Sequence, residues 1–193
     1  MASDRSPQGT SVRSAAAQLG PPAKSNVSNG SEITFESTRF RQVLGHFCTG
    51  VAVVTALQRG QPIGLTVQSF ASVSLVPPLV SFCPSKSSSS WPRIKASGAF
   101  CVNILKDAQE AVSRAFAAKD GDRFFNVSWR RTPETGSPLL EDALAWVDCR
   151  FQDQHDAGDH VIVVGRVVGL GAMEQGWPLL FYRGGYGHFT GPR

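Results

Sequence analysis

Apolar and β-branched residues cluster in short runs divided by turn signals, and helical spacing appears at only three places along the chain. VAVVTALQ (51–58) and IGLTVQSFASVSL (63–75) are joined by the turn-like RGQP and read as a hairpin. Pro77-Pro78 stops the second run, because neither residue can donate a ladder hydrogen bond. LVSFC (79–83) and AFCVNIL (99–105) are short buried strands. ALAWVDCRFQDQHDAG and DHVIVVGRVVGLGAM form a second hairpin around Asp156 to Asp159, and PLLFYRGGYGHF supplies a last strand with an aromatic-glycine end.

Of the three helical stretches, STRFRQVLGHFC (37–48) places Phe40, Val43, Leu44 and Phe47 on one face, with Ser37 or Thr38 as cap and Gly50 as stop. This predicts an amphipathic helix lying on the domain, with His46 at solvent or a packing edge. WPRIKASG (91–98) is a short helix with Pro92 in its first turn and Gly98 at its end. DAQEAVSRAFA (107–117) is the clearest helix, with Asp107 and Glu110 spaced as a capping box. Residues 119–138 read as a long ordered excursion whose Phe124, Phe125 and Trp129 pack on the domain or on a second subunit. Six or seven strands with few short helices predict a mainly β fold, an antiparallel, closed or partly closed barrel with helices at its openings. Alternating βα units and GxGxxG are both absent, which argues against a Rossmann sheet.

Residues 1–34 are rich in Ser, Gly, Pro, Asn and Ala without a hydrophobic period, and predict a disordered tail ahead of one folded domain, 35–193. The 193 residues carry 19 Lys and Arg against 15 Asp and Glu, a net +4. That mild charge, without a basic-aromatic stripe, disfavours nucleic-acid binding and an oligonucleotide-binding barrel. No run has the length of a membrane span or the form of a signal peptide, so the expected setting is cytoplasmic. Cys48, Cys83, Cys101 and Cys149 are scattered in apolar or strand-like contexts, which predicts buried free thiols rather than metal ligands or disulfides.

The chemistry is harder to place. GxSxG, HExxH and a Walker loop do not occur, and His155 and His160 flank a turn without a nearby Cys or acid at zinc-ligand spacing. An enzyme built this way depends on a cofactor that brings its own reactivity. The stretch from Gly64 to Trp91 stands out, because small and hydroxylated side chains occupy positions where a core strand carries Ile, Leu and Phe. Such a strand leaves room for a ligand or marks close backbone approach, and the loop Ser85 to Ser90 is either a phosphate cradle or a solvated polar loop.

Six blocks in order resemble the flavin reductase-like family of FMN-binding split barrels: GVAVVTA (50–56), GLTVQSFASVSLVPPLVSFC (64–83), SSSSWPRIKASGAFCVNIL (87–105), GSPLLEDALAWVDC (136–149), GDHVIVVGRV (158–167) and PLLFYRGGYG (178–187). FCTG, the serine-tryptophan element, ASGAFCVNIL and LLFYRGGYG lie nearest a branch of reductases that serve actinobacterial monooxygenases of a phenolic secosteroid. The resemblance implies an antiparallel Greek-key split β-barrel, homodimeric, that reduces FMN or FAD with NADH or NADPH. It further implies that the reduced flavin is passed to a separate monooxygenase.

Residue by residue, it implies that Thr66, Val67, Gln68 and Ser69 run along the flavin ring, with Gln68 standing where Asn is usual. Thr49 and Ser81 are placed at the cofactor. Lys86, Ser87, Ser88, Ser89 and Ser90 would meet ribityl and phosphate groups, and Trp91 would open a helix whose N-terminus favours an anion. Phe124 in the DRF segment and Tyr182 on the last strand would lie near the ring, and Tyr186 would stack there or close the barrel. His160 of the GDH element would contact nicotinamide and flavin. Two other readings of the same architecture are a flavin-binding module without turnover and a pyridoxamine-phosphate-oxidase-like enzyme. The second would call for more basic residues at the phosphate than Lys86 and Arg93.

Overall fold

The computed structural model describes residues 35–191. Two compact units divide between Arg41 and Gln42. The first is described from Phe35 and holds the opening turns of α1 (Ser37–Leu44). The expected tail, 1–34, lies outside the described residues.

The second unit is mainly β with antiparallel pairing throughout. Seven strands form one sheet in the order β3-β2-β6-β9-β10-β5-β4. These are β2 (Ala52–Gln58), β3 (Gln61–Val67), β4 (Ala71–Leu75), β5 (Pro78–Phe82), β6 (Ala99–Ile104), β9 (Ala145–Ala157) and β10 (His160–Ala172). A three-stranded sheet runs β1 (Thr49–Gly50), β11 (Leu179–Tyr182), β12 (Gly185–His188), and β7 (Trp129–Arg131) pairs β8 (Pro138–Leu140). Helices α2 (Trp91–Ser97) and α3 (Glu110–Ala117) pack on the large sheet, α3 after a 3₁₀ turn at Asp107–Gln109.

Both expected hairpins form. β2 pairs β3 from Ala52↔Val67 to Gln58↔Gln61, and Arg59-Gly60 supply the positive φ of the turn. β9 and β10 pair along their length around Gly158 (φ 64°), with register shifts near Gly165 and Gly169. Burial on β2 is almost continuous because both of its faces are covered. Val54, Phe82, Ile94 and Phe100 centre one core cluster, and Val53, Leu105, Phe116 and Leu179 another.

Several expectations are corrected. The run 63–75 is two strands, broken at Gln68–Phe70, where Ser69 Oγ accepts from Cys83 N at 2.8 Å and turns the chain toward β5. Pro78 is the first residue of β5, a position that needs no donor. The final segment is a hairpin rather than one strand, since Arg183 (φ 50°) and Gly184 (φ 84°) reverse the chain. At the 3₁₀ turn, Gln109 closes back on the Lys106 amide at 3.1 Å while Glu110 bonds Arg114, so the reciprocal cap falls one residue earlier than the Asp107-Glu110 spacing predicts. Helix α1 ends at Leu44, before Gly45, and buries none of its residues. A 3.6-residue period sets which side chains share a face, not what that face meets. Cys101 and Cys149 are buried, but Cys83 is half-buried and Cys48 exposed.

Candidate functional site

A cavity of about 890 Å³ opens where β3, the loop after β5, the end of α3 and the small sheet converge. Leu65 to Ser69 form one wall and Cys83 to Ser89, apart from Lys86, form another. Phe116 to Lys119, Arg123 and His160 border it, and Phe181 and Tyr186 close it from β11 and β12.

Of the residues expected at the cofactor, Thr66, Val67, Gln68, Ser69, Ser87, Ser88, Ser89 and His160 line this one cavity. The structure does not bring the others to its wall. Lys86 Nζ reaches Asp156 at 3.3 Å. Ser90 is buried and its hydroxyl takes a hydrogen bond from Arg123. Trp91 is a core residue, edge-on to Phe82 with its indole N–H donating to Gln154. Phe124 packs edge-on against Phe116 and Trp129, while Phe125 is exposed. Tyr182 is exposed beside His46, and Ser81 sits within β5. Thr49, also off the wall, has a buried hydroxyl without a hydrogen-bond partner among the described residues.

Two cations border the cavity that the residue patterns did not single out as ligands. Arg123 donates Nε and Nη2 to Ala118 O, and Nη1 to Gly64 O and Ser90 Oγ. Its planar fork thereby joins α3, β3 and the serine loop. Lys119, one residue beyond α3's C-cap Ala118, is exposed and shows no ion-pair partner among the described residues. The signal available in the sequence was the pair of cations flanking Asp120-Gly121-Asp122, just before Phe124.

The serine loop is fastened to the β9–β10 hairpin. Lys86 N donates to Asp159 O at 2.9 Å, Val161 N to Pro84 O at 3.1 Å, and Ser85 bridges His160 in the backbone. Within the loop, Ser85 Oγ meets Ser87 Oγ at 2.8 Å and Ser88 Oγ accepts from Trp91 N. His160 Nδ1 lies 2.8 Å from the exposed Asp159 carboxylate. With Nδ1 as the donor, Nε2 is left to accept in the neutral ring and to donate when protonated.

Thr66 Oγ1 donates to Ser113 O at 2.8 Å, so its proton faces α3, not the cavity. Burial, reinforced by the Asp148 carboxylate, pushes the Cys149 thiol up to about 12 and the Cys101 thiol higher still. Neither thiol borders the cavity. Among the described residues no cluster of His, Cys, Asp and Glu could hold a metal ion, and no helix is long and apolar enough to cross a membrane.

The lining fits a flat heteroaromatic ring carrying an anionic tail. Phe181 and Tyr186 offer aromatic surface with Phe116 buried at the cavity's base, the backbone of 66–69 and the Gln68 amide offer polar groups, and the serine hydroxyls with Lys119 suit a phosphate.

Comparison with known proteins places the chain. The flavin reductase like domain model matches residues 44–190. The reductase subunit HsaB of a flavin-dependent monooxygenase from Rhodococcus jostii is 49% identical over 148 residues, 77% of this chain and 75% of that protein. A flavin reductase from Pseudomonas putida is 50% identical over 152 residues, 78% of this chain and 89% of its own length. The crystal structure of a nitrilotriacetate monooxygenase component B homologue from Mycobacterium thermoresistibile superposes with a TM-score of 0.77 at 48% identity, covering 79% of this chain and 86% of that one. An NADH:FAD oxidoreductase from Streptomyces globisporus, in complex with NAD and FAD fragments, gives 0.75 at 37% identity, covering 79% and 92%. With half the chain and more matched at this identity, the protein belongs to the flavin reductase like family.

Proposed function

We propose that the 890 Å³ cavity is the flavin site of an NAD(P)H:flavin oxidoreductase that supplies reduced FMN or FAD to a separate monooxygenase. The observation that carries this reading is the convergence of Thr66–Ser69, Ser87–Ser89 and His160 on one cavity, from three segments far apart in the chain. The bound flavin supplies the acceptor for a hydride donated by reduced nicotinamide. The chain itself needs no general base for that transfer. Its β3 wall orients the ring edge, its aromatic residues exclude water, and His160 Nε2 offers one polar contact at the open side. Alignment of two planar partners is the main source of rate that such a site provides.

The anion of the flavin is held by Ser87–Ser89 and Lys119, with Lys86 serving the loop's attachment to Asp156 instead. The seven-stranded sheet is the body of a split barrel, and two copies pair as a homodimer through apolar residues left exposed on one. Val73, Leu75 and Val76 at the β4 edge are among these. The protein acts in the cytoplasm.

The test follows NADH loss at 340 nm with FMN, FAD and riboflavin as acceptors. His160→Ala raises the KM for NADH. Lys119→Ala raises the KM for FMN roughly fivefold, the size of one partly screened charged hydrogen bond, and leaves riboflavin, which lacks the phosphate, unchanged. Absence of flavin-dependent oxidation in the wild type would end the reductase reading. Equal effects of Lys119→Ala on FMN and riboflavin would end the phosphate assignment alone.

A further inference from the structure

Tyr186 borders the cavity from a strand that does little to orient it. β12 is the edge of the small sheet, and the residues on either side of Tyr186 in the chain, Gly185 and Gly187, carry no side chains. Its direction comes from elsewhere. Across the ladder Phe181 meets it edge-on, with centroids 5.2 Å apart. The Arg114 guanidinium sits 4.7 Å from its ring centre and is itself tethered to Glu110 at 2.7 Å. The phenol oxygen lies 2.8 Å from Ser113 Oγ.

Ser113 is fully buried on α3 and does not line the cavity, yet it holds two residues that do. Its hydroxyl meets Tyr186, and its carbonyl accepts the Thr66 hydroxyl at 2.8 Å. Thr66 belongs to the β3 wall and Tyr186 to the β12 wall, so both are registered to one residue of a third element. A single helix position thus fixes the spacing of two walls that no sheet joins, since β3 and β12 lie in different sheets.

We propose that Ser113 is a positioning residue for the flavin: through Thr66 and Tyr186 it sets the width and tilt of the slot that receives the planar ring. This rests on the reading that the cavity holds flavin. A hydroxyl is required at position 113 because, among the described residues, it is the one that satisfies the phenol. Without it, Tyr186 turns to water and the slot loses one fixed side. The carbonyl half of the junction survives substitution, which isolates the Tyr186 arm for experiment.

The experiment titrates FMN into wild type, Ser113→Ala, Tyr186→Phe and the double variant, reading flavin fluorescence for Kd, near-ultraviolet and visible circular dichroism of the bound ring, and the ligand-free melting midpoint. Each single variant should weaken FMN binding about three- to tenfold, the size of one neutral hydrogen bond. The double should bind no more weakly than the weaker single, because both changes remove the same bond. The dichroism of bound FMN should change alike in all three variants. A merely structural serine would lower the midpoint without this shared signature and without coupling in Kd.

Wild-type affinity in either single variant, or a double whose loss is the product of the two, overturns the proposal. If Ser113→Ala does not fold, Tyr186→Phe decides alone: weakened FMN binding with an unchanged midpoint supports it, and unchanged binding refutes it. A wild-type protein that takes up neither FMN nor FAD sinks the flavin reading and this inference together. Flavin binding indifferent to all three variants sinks only the inference.

Discussion

Gly64→Ala is the sharpest test of how β3 and α3 meet beneath the cavity. A Cβ built on Gly64 would lie 2.6 Å from Phe116 Cε1, 2.7 Å from Cδ1 and 3.0 Å from Val54 O. Carbon atoms rest about 3.5–4.0 Å apart, so the ring must retreat by roughly 1 Å. It has little room, being 1% exposed and edge-on to Phe124 at 4.8 Å. Overpacking of this kind costs about 1–3 kcal/mol. For a domain of this size each kcal/mol lowers the melting midpoint by about 2–4 °C, which predicts a fall of about 2–12 °C. Because Phe116 lines the cavity, FMN affinity should fall with it. Phe116→Leu removes the obstructing ring edge, so the double variant should lose less stability than the sum of the two singles. Thermal melts and flavin titration on the four proteins read both effects. A Gly64→Ala protein that melts within about 1 °C of wild type, or a double variant that is strictly additive, would refute the packing argument.

Arg123→Lys replaces a fork that serves Ala118, Gly64 and Ser90 with a single ammonium, and should cost about 1–3 kcal/mol in urea denaturation; an unchanged midpoint would contradict the strap. With a thiol-reactive disulfide reagent, Cys48 should react quickly and Cys83 more slowly, the latter protected by FMN, while Cys101 and Cys149 wait for unfolding. Below pH 9 both folded and unfolded chains keep the Cys149 and Cys101 protons, so that stability is fully present. Between the ordinary 9.0 and the raised folded value of about 12 for Cys149, only the unfolded chain releases them. Stability should therefore fall by about 1.4 kcal/mol per thiol per pH unit above 9, and Cys149→Ala should flatten the slope in urea melts at pH 8, 9 and 10.

Local chemistry made parts of this molecule legible in advance. The β2–β3 hairpin was visible because β-branched residues flank a turn, and α2 because Pro92 and Gly98 (φ 73°) mark its ends. The β11–β12 reversal was missed because Arg183 adopts a positive φ that its identity does not announce. At the site, Thr66–Ser69, Ser87–Ser89 and His160, expected at the cofactor, come together on one cavity, because their segments are rich in the small and hydroxylated residues that leave such a space open. The direction of Lys86 was not legible, because a charge in a loop says nothing of where it points, and its partner Asp156 lies far along the chain. Trp91 and Phe124, expected at the cofactor, lie off the cavity wall, Trp91 buried against Phe82 and Phe124 half-buried against Phe116 and Trp129. Ser113 gave no signal at all, since its role exists only once α3 is laid against β3 and β12.

The clasp between the serine loop and the hairpin tip has a mechanical corollary. Lys86 N to Asp159 O, Val161 N to Pro84 O and the Ser85–His160 bridge join the serine loop and the hairpin tip that carries His160 into a single piece. Neither can be moved in isolation: lengthening the loop would also displace the imidazole across the cavity that both border.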